Sequence, residues 1–455
     1  MANVVNSTAA KLHISPTLEI NELVSKAREQ GKHVIHLGFG EATFPIQQDV
    51  LQAHQDASNE TSYMPVAGIE NLRASIASFN ADRLGVKISP DQVVVAPGSK
   101  PLLFGLFDIL DGAVLLPRPS WVSYEPQVLH ARKRLFWVET DPVDRHTITE
   151  SSLLSAHQNA ISEGVIPRIM LINSPSNPTG HVFSASCIRT IKEFCRSKEI
   201  VLITDEIYSD ICFDESQKGT SAFDSSNDDT ETVILTGGLS KTYSAGGWRI
   251  GYAIFPPSEK GEIIRKTILA YASECWSAAS TPAQLASIKA FSTSEAMFSY
   301  RKSVTALHRY CTGKLYSALK ELGLDVGQPG GGFYVYPSFS PYAAQLDKLG
   351  ISTSADLSAW LIRECGLATL PGSAFGEDDD GPLHGRFRLR MSTSYLYFQS
   401  EIERYEKGYA LLESCASGKD IQLPYLEEAI EALENAVQKL KSIRLLYHIS
   451  PRLCA

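Results

Sequence analysis

The chain has 455 residues, enough for two domains or for one large α/β domain with a smaller partner. Hydrophobic residues make up 44% and charged ones 20%, the balance of a globular protein with a sizeable core. A formal net charge of −9 with no basic patch argues against nucleic-acid binding, so any anionic ligand must be held by local cations and backbone donors. No apolar run approaches the roughly 18–20 residues that span a bilayer, which excludes a membrane helix. The first twenty residues lack an apolar core behind a basic start, so no secretory signal is read there and the expected location is cytoplasmic. Cysteines at 187, 195, 212, 275, 311, 365, 415 and 454 stand singly, without a C-x-x-C pair for zinc or redox work.

In chain order, Ser15-Pro16 followed by Ile20, Leu23, Val24 and Ala27, with Gly31 as a stop, predicts a capped amphipathic helix. A short strand over 33–37 leads into the turn Gly38-Phe39-Gly40. Ile69, Leu72, Ile76 and Phe79 mark a helix face, 92–96 reads as a buried strand, and Pro97-Gly98-Ser99 turns into a helix over 100–110. Further buried strands are expected at 113–116, 168–173, 200–204 and 233–236. Apolar strands alternating with helices indicate a mainly parallel sheet covered on both faces. Residues 255–323 are helical by pattern, and Gly330-Gly331-Gly332 opens a strand over 333–336. A strand over 386–391 follows a helix in a smaller α+β unit. Leu426, Ile430, Leu433, Val437 and Leu440 predict a last amphipathic helix docked on that unit. The acidic runs at 224–230 and 377–380 read as solvated loops. This division gives an N-terminal helix and arm over 1–65 belonging to the small domain, a large domain over 66–315 and a C-terminal small domain over 316–455.

Four local patterns stand in order: Asn173-Ser-Pro-Ser-Asn177-Pro-Thr-Gly180, Asp205-Glu-Ile-Tyr208, Ser240-Lys241 through Trp248-Arg249, and Phe387-Arg388-Leu389-Arg390. Alone, each has a bland explanation: a turn, a helix cap, a surface lysine, a charged strand. Together, at these intervals, they resemble the class I/II aminotransferases of the fold-type I pyridoxal-phosphate enzymes, from about Gly38 to about Ser394. The resemblance implies a large, mainly parallel α/β/α sheet domain and a smaller α+β domain. It also implies pyridoxal 5′-phosphate as cofactor, with Lys241 as Schiff-base lysine and proton-transfer base.

Asp205, at the end of an apolar strand, would face the pyridine nitrogen and keep it protonated. Tyr208 and Asn177 match positions that hydrogen-bond the phenolic oxygen. Gly98, Ser99 and Lys100 lie between strand and helix, where backbone N–H groups point at a phosphate, with Arg249 and Ser240 as further donors. Lys100 reads equally well as a helix-start surface residue. The position three before the lysine, often a serine in the family, is Gly238 here. Trp121 resembles the aromatic that stacks on the pyridine ring, or else packs in the core. Tyr63, in a Tyr-x-Pro-x-x-Gly segment, matches a residue that reaches the phosphate of the other subunit, so a homodimer with shared sites is implied. Arg388 matches the arginine that binds the substrate carboxylate, with Arg390 on the same strand face as the alternative. Gly40 belongs to the segment that closes over substrate, where relatives usually continue Pro-Asp-Phe and this chain has Ala42-Thr43-Phe44.

The expected reaction is transfer of an amino group from an L-amino acid to a 2-oxo acid in ping-pong fashion. A lyase or cyclase, of carbon–sulfur lyase or aminocyclopropane-carboxylate synthase type, shares the same cofactor residues. A non-catalytic cofactor-sensing module is the third reading, disfavoured because no basic helix-turn-helix precedes the fold. No sequence pattern suggests a metal site.

Overall fold

The computed structural model describes residues 4–142, 145–217, 219–224, 232–379, 387–398, 400–419 and 421–448. Helix α1 (Pro16–Glu29) buries Ile20 and Val24 and ends ahead of Gly31, whose φ of +74° suits glycine. Ser15 does not cap it, because its hydroxyl lies 2.8 Å from Thr17 Oγ1 instead. The expected strand at 33–37 shortens to β1 (Ile35–His36).

Seven strands form the large sheet: β2 (Val93–Ala96), β3 (Ala113–Arg118), β4 (Leu135–Glu139), β5 (Pro167–Asn173), β6 (Val201–Asp205), β7 (Val233–Gly238) and β8 (Gly251–Ile254). Their order is β2-β8-β7-β6-β5-β3-β4. Neighbours are parallel except that β8 runs antiparallel to both β7 and β2. The chain crosses from β7 to β8 without a covering α-helix, and such a direct return yields antiparallel neighbours. The central strands are buried along their length, hence their near-continuous Val, Leu and Ile. Helix α2 (Ser99–Ile109) follows β2 and buries Leu102, Leu103, Leu106 and Phe107.

Helix α3 (Glu295–Glu321) runs on to the smaller unit. There β9 (Tyr334–Val335), β11 (Leu370–Pro371) and β12 (Leu389–Ser392) form an antiparallel sheet in the order β11-β12-β9, while β10 (Leu367–Ala368) pairs with β1 in parallel. That pairing ties the N-terminal segment to the C-terminal unit. Between β10 and α3 sits α4 (Ser354–Cys365). The segment after β12 holds α5 (Glu401–Ala416), which packs along α3. Helix α6 (Pro424–His448) buries Leu426, Leu433, Val437 and Leu440, as their spacing requires, and lies on α3 and α4.

Within the acidic run at 377–380, of which 377–379 lie in the described residues, Glu377 and Asp379 are less solvated than the composition suggests. Glu377 accepts from Tyr336 Oη at 3.4 Å, and Asp379 takes the backbone N–H and hydroxyl of Ser354 at 3.0 and 3.1 Å, capping α4. In the other run only Asp224 lies within the described residues, where it pairs with Lys192 at 2.7 Å.

Candidate active site

The register of the large sheet aligns Asn173 of β5, Asp205 of β6 and Thr236 of β7 in one row at their C-terminal ends. This is where parallel sheets present ligand-binding groups. Thr236 Oγ1 donates to Asp205 Oδ1 at 3.2 Å, and Tyr124 Oη donates to Oδ2 at 2.7 Å. Burial raises the Asp205 carboxyl from its ordinary 3.8 to about 6, while the bonds from Tyr124 and Thr236 limit the rise. Asn173 Nδ2 donates to the Asp205 carbonyl at 2.7 Å and its Oδ1 accepts from the Asn177 backbone at 2.8 Å.

The connection from β7 to β8 carries both Lys241 and Arg249. Lys241 Nζ donates to the Gly40 carbonyl at 2.6 Å. Burial lowers its amine to about 8; Glu41 opposes that, Arg390 and Arg249 add to it, and Asp205 opposes it weakly. Arg249 sits in the left-handed region at φ 57° after a turn through Gly246–Trp248. A Cβ on Gly98 would lie 2.2 Å from Arg249 Nη2, so glycine is what lets the guanidinium reach the start of α2. No side chain caps that helix, leaving its first N–H groups free for an anion. Gly238 is also sterically fixed: a Cβ there would meet the Ile250 carbonyl at 2.7 Å, which accounts for the missing serine.

A third group comes from the smaller unit. Tyr208 and Tyr334 hydroxyls are 2.8 Å apart, and Asn177 Nδ2 lies 3.4 Å from Tyr334 Oη. Arg390 Nη1 donates to Asn177 Oδ1 at 3.1 Å and Nη2 donates to the Gly38 carbonyl, while its buried Nε has no hydrogen-bond partner. The guanidinium stacks 4.8 Å from the Tyr334 ring centroid. Asn173, Asp205, Tyr124, Lys241, Arg249, Tyr208, Tyr334, Asn177 and Arg390 border one cavity of about 540 Å³, from which Gly98, just before Ser99, is absent. The cavity brings together Gly40, Ser99, Lys100, Trp121, Asn177, Asp205, Tyr208, Ser240, Lys241 and Arg249 of the residues expected from sequence. Lys100 Nζ lies 5.0 Å over the Trp121 ring, so this lysine faces the cavity.

One expectation needs revision. Arg388 does not line the cavity; its Nη2 bonds Asp325 Oδ2 at 3.4 Å and its guanidinium covers Tyr336, one rung along the sheet from Arg390. The strand face was right, but the rung that reaches Asn177 belongs to Arg390. Tyr63 is absent from the lining, with its side chain 96% exposed in the single chain. Tyr334, on the strand expected from its sequence to line the pocket or else pack in the core, borders the cavity, and so do Glu41 and Tyr124, which had no earlier assignment. Tyr124 stands three residues after Trp121 in the same turn, the one local hint available. Among the described residues no cluster of metal-ligating side chains occurs, and no helix is long and apolar enough to cross a membrane.

A mainly parallel sheet at whose C-terminal edge a buried carboxylate, a half-buried lysine and an arginine at a helix N-terminus meet is the site of a phosphate-cofactor enzyme acting on amines. The family model for aminotransferase class I and II matches residues 32–396, and the chain belongs to that family. It is 32% identical to the aspartate aminotransferase of Geobacillus stearothermophilus over 88% of this chain and 97% of that one. It is 33% identical to a probable aspartate/prephenate aminotransferase of Aquifex aeolicus over 81% and 91%. Among solved structures it is similar to the Thermus thermophilus aspartate aminotransferase with maleate, at 26% identity and a TM-score of 0.74, covering 91% of this chain and 99% of that one. An aromatic aminotransferase from Pyrococcus horikoshii matches with a TM-score of 0.73 at 25% identity, covering 92% and 99%.

The protein is thus a pyridoxal 5′-phosphate-dependent aminotransferase with amino acid and 2-oxo acid substrates. The residues present fit that cofactor: the uncapped start of α2 with Arg249 suits its phosphate, the buried Asp205 suits a cationic ring nitrogen, and Lys241 suits its aldehyde.

Proposed function

We propose that this cavity is the transamination site, with Lys241 as the covalent anchor and proton carrier, and that its amino donor is a dicarboxylic L-amino acid. The observation that carries the reading is the convergence of Lys241, Asp205, Tyr208, Asn177, Arg249 and Arg390 on one cavity from both sheets.

When bound, the cofactor supplies an electron sink conjugated to the substrate nitrogen. The chain's residues divide the remaining work. Asp205, held by Tyr124 and Thr236, offers a fixed negative charge to the ring nitrogen. Gly98, Ser99, Ser240 and Arg249 hold the phosphate, with Lys100 nearby, and Trp121 covers one ring face. Tyr208 and Asn177, tied together through Tyr334, present donors to the phenolic oxygen. Lys241 Nζ, with an amine lowered to about 8, takes a proton from the substrate α-carbon near neutral pH and returns it.

Arg390 takes the carboxylate role in place of Arg388. Its guanidinium is oriented by Asn177 and Gly38, and its buried Nε still lacks an acceptor. A planar fork of this kind suits an α-carboxylate. The acidic donor is supported by the names of the relatives and by the cation Lys100 bordering the cavity. We further infer a homodimer in which Tyr63 reaches the partner's phosphate, supported by its exposure and its sequence context. A cytoplasmic location accompanies this reading.

A half-reaction tests the assignment. Purified holoenzyme given L-aspartate or L-glutamate without acceptor should convert stoichiometrically to the pyridoxamine form, releasing one 2-oxo acid per site. Preference for L-phenylalanine over both acids would overturn the donor class. Repeated turnover releasing ammonia or thiol, with the cofactor left as aldehyde, would overturn transamination itself.

A further inference from the structure

A second cavity, also of about 540 Å³, lies behind the active site. It is bounded by the end of α1, by β1, by the segment after β12 and by α6, through Arg28, His36, Tyr395, Arg404 and Tyr425 among others. Among the described residues Glu41 is the one that borders both cavities. Its position follows from the chain: Gly40, whose carbonyl accepts from Lys241 Nζ at 2.6 Å, is its neighbour. Tyr395 Oη donates to Glu41 Oε2 at 2.7 Å and fixes the carboxylate on the partition. The Tyr395 ring packs on His36, 4.9 Å between centroids, and His36 Nε2 contacts Asn21 Oδ1 at 3.2 Å. Helix α1, β1 and the segment after β12 therefore all hold the Glu41 carboxylate in place.

We propose that Glu41 is a positioning residue for the catalytic lysine: its carboxylate, anchored by Tyr395, stabilises the ammonium form of Lys241 whenever that amine is free. The inference rests on Lys241 as the anchor. A free lysine that shuttles a proton must accept it as well as release it. Burial, Arg390 and Arg249 all press Lys241 toward the neutral amine; Glu41 and Asp205 are the carboxylates that press the other way, Glu41 more strongly. Asp205 is engaged by Tyr124 and Thr236, and its charge is matched to the cofactor ring. Among the described residues Glu41 bonds Tyr395, outside the active-site lining, while its neighbour Gly40 accepts from Lys241 Nζ. Facing this pair in the active site are Lys100, Tyr124, Asp205, Arg249, Tyr334 and Arg390, with Tyr208 and Phe333, whose ring centroids are each 5.8 Å from Lys241 Nζ; around the second cavity are Arg28, Lys32, His33, His36, Tyr395, Glu401, Arg404, Tyr425 and Glu428. Of these, His36 is neutral, because burial with Arg28 and Arg390 nearby depresses its imidazole to about 3.

The test uses apoenzyme and pyridoxal 5′-phosphate, reading the rate of covalent capture as a function of pH from the cofactor absorbance. Only the neutral amine captures the aldehyde, so the rate should rise through a midpoint near 8 in the wild type. In Glu41→Gln the ammonium form loses support, and the midpoint should fall by roughly half a pH unit or more. Capture at pH 7 then becomes about threefold faster or more. Glu41→Asp keeps the charge but retracts it, so its midpoint should lie between the two, and it carries the test alone if the amide variant fails to fold. A midpoint in either variant equal to or above that of the wild type would overturn the inference. Lys241→Ala is the control: covalent capture surviving in it would overturn the anchor assignment and the inference with it. An unmoved midpoint with capture still dependent on Lys241 would overturn the role of Glu41 alone.

Discussion

Asp205 has to remain ionised in a place that disfavours charge. With its carboxyl raised by burial to about 6 from an ordinary 3.8, the folded apoprotein holds this proton more tightly than the unfolded chain does. The sign of the linkage follows: the protonated group favours the fold below about pH 4, and that contribution is lost as pH rises through about 6. Asn cannot ionise and nearly preserves the shape. The Asp205→Asn apoprotein should therefore gain stability relative to wild-type apoprotein between pH 4 and 6, by up to about 3 kcal/mol, and hold that gain above. Chemical denaturation of the two apoproteins across pH 4–7.5 measures it, and parallel profiles would show that Asp205 is not strained by burial. In the holoprotein the same substitution removes the partner of a cationic ring nitrogen, so cofactor affinity should fall although the apoprotein is firmer. Stability surrendered at a site in exchange for ligand affinity is a common arrangement.

Strand β12 shows how an element ranks two residues that sequence leaves equal. Residues 388 and 390 share a face, about 7 Å apart along the strand. Position 390 pairs with Leu370 of β11, and the Arg390 guanidinium lies over Tyr334 and Phe375. Position 388 bridges to Ser338, and its guanidinium lies over Tyr336 beside Asp325. Arg390→Ala should lower kcat/KM for the amino donor by about 2–5 kcal/mol, on the order of 30-fold or more, with cofactor loading retained. Arg388→Ala should change it less than about tenfold and instead lower the unfolding midpoint, since Asp325 and the Tyr336 face lose their partner. Equal losses of kcat/KM in the two variants would defeat the ranking. The contrast marks what was legible beforehand. Asp205 and Tyr208, or Lys241 and Arg249, lie within one local stretch each, so their chemistry is written in adjacent residues. Tyr334 meets Tyr208 across 126 positions, and Glu41 meets Tyr395 across 354, so only the folded register reveals them. The central strands were legible because burial on both faces demands unbroken apolar runs; β1 and β9 were expected beside their glycine turns but are only two residues long, and the two-residue strands β10 and β11 carry no period to read.

At the scale of the whole molecule, Tyr63 stays outside the cavity of its own chain. Tyr63 is almost fully exposed, and its segment precedes the turn at Gly68, whose φ of +95° aims the chain at the sheet edge beside Val95. In the proposed homodimer a second subunit would cover this exposed aromatic. Sharing makes a distinctive genetic prediction. A subunit bearing Lys241→Ala and another bearing Tyr63→Ala should each form poorly active or inactive homodimers, the tyrosine variant through weakened cofactor retention. In a hybrid dimer one site would collect both lesions, whereas the other would combine an intact lysine from one chain with an intact tyrosine from its partner. Co-expressed and tag-separated hybrids should then recover up to half the wild-type activity per dimer at limiting cofactor. If Tyr63 served its own subunit, both sites of the hybrid would carry one lesion each and no recovery would be measured. Elution as a monomer in size-exclusion chromatography with light scattering would remove the shared site altogether. Recovery in the hybrid places the tyrosine across the interface, because no arrangement within one chain can restore a site from two defective subunits.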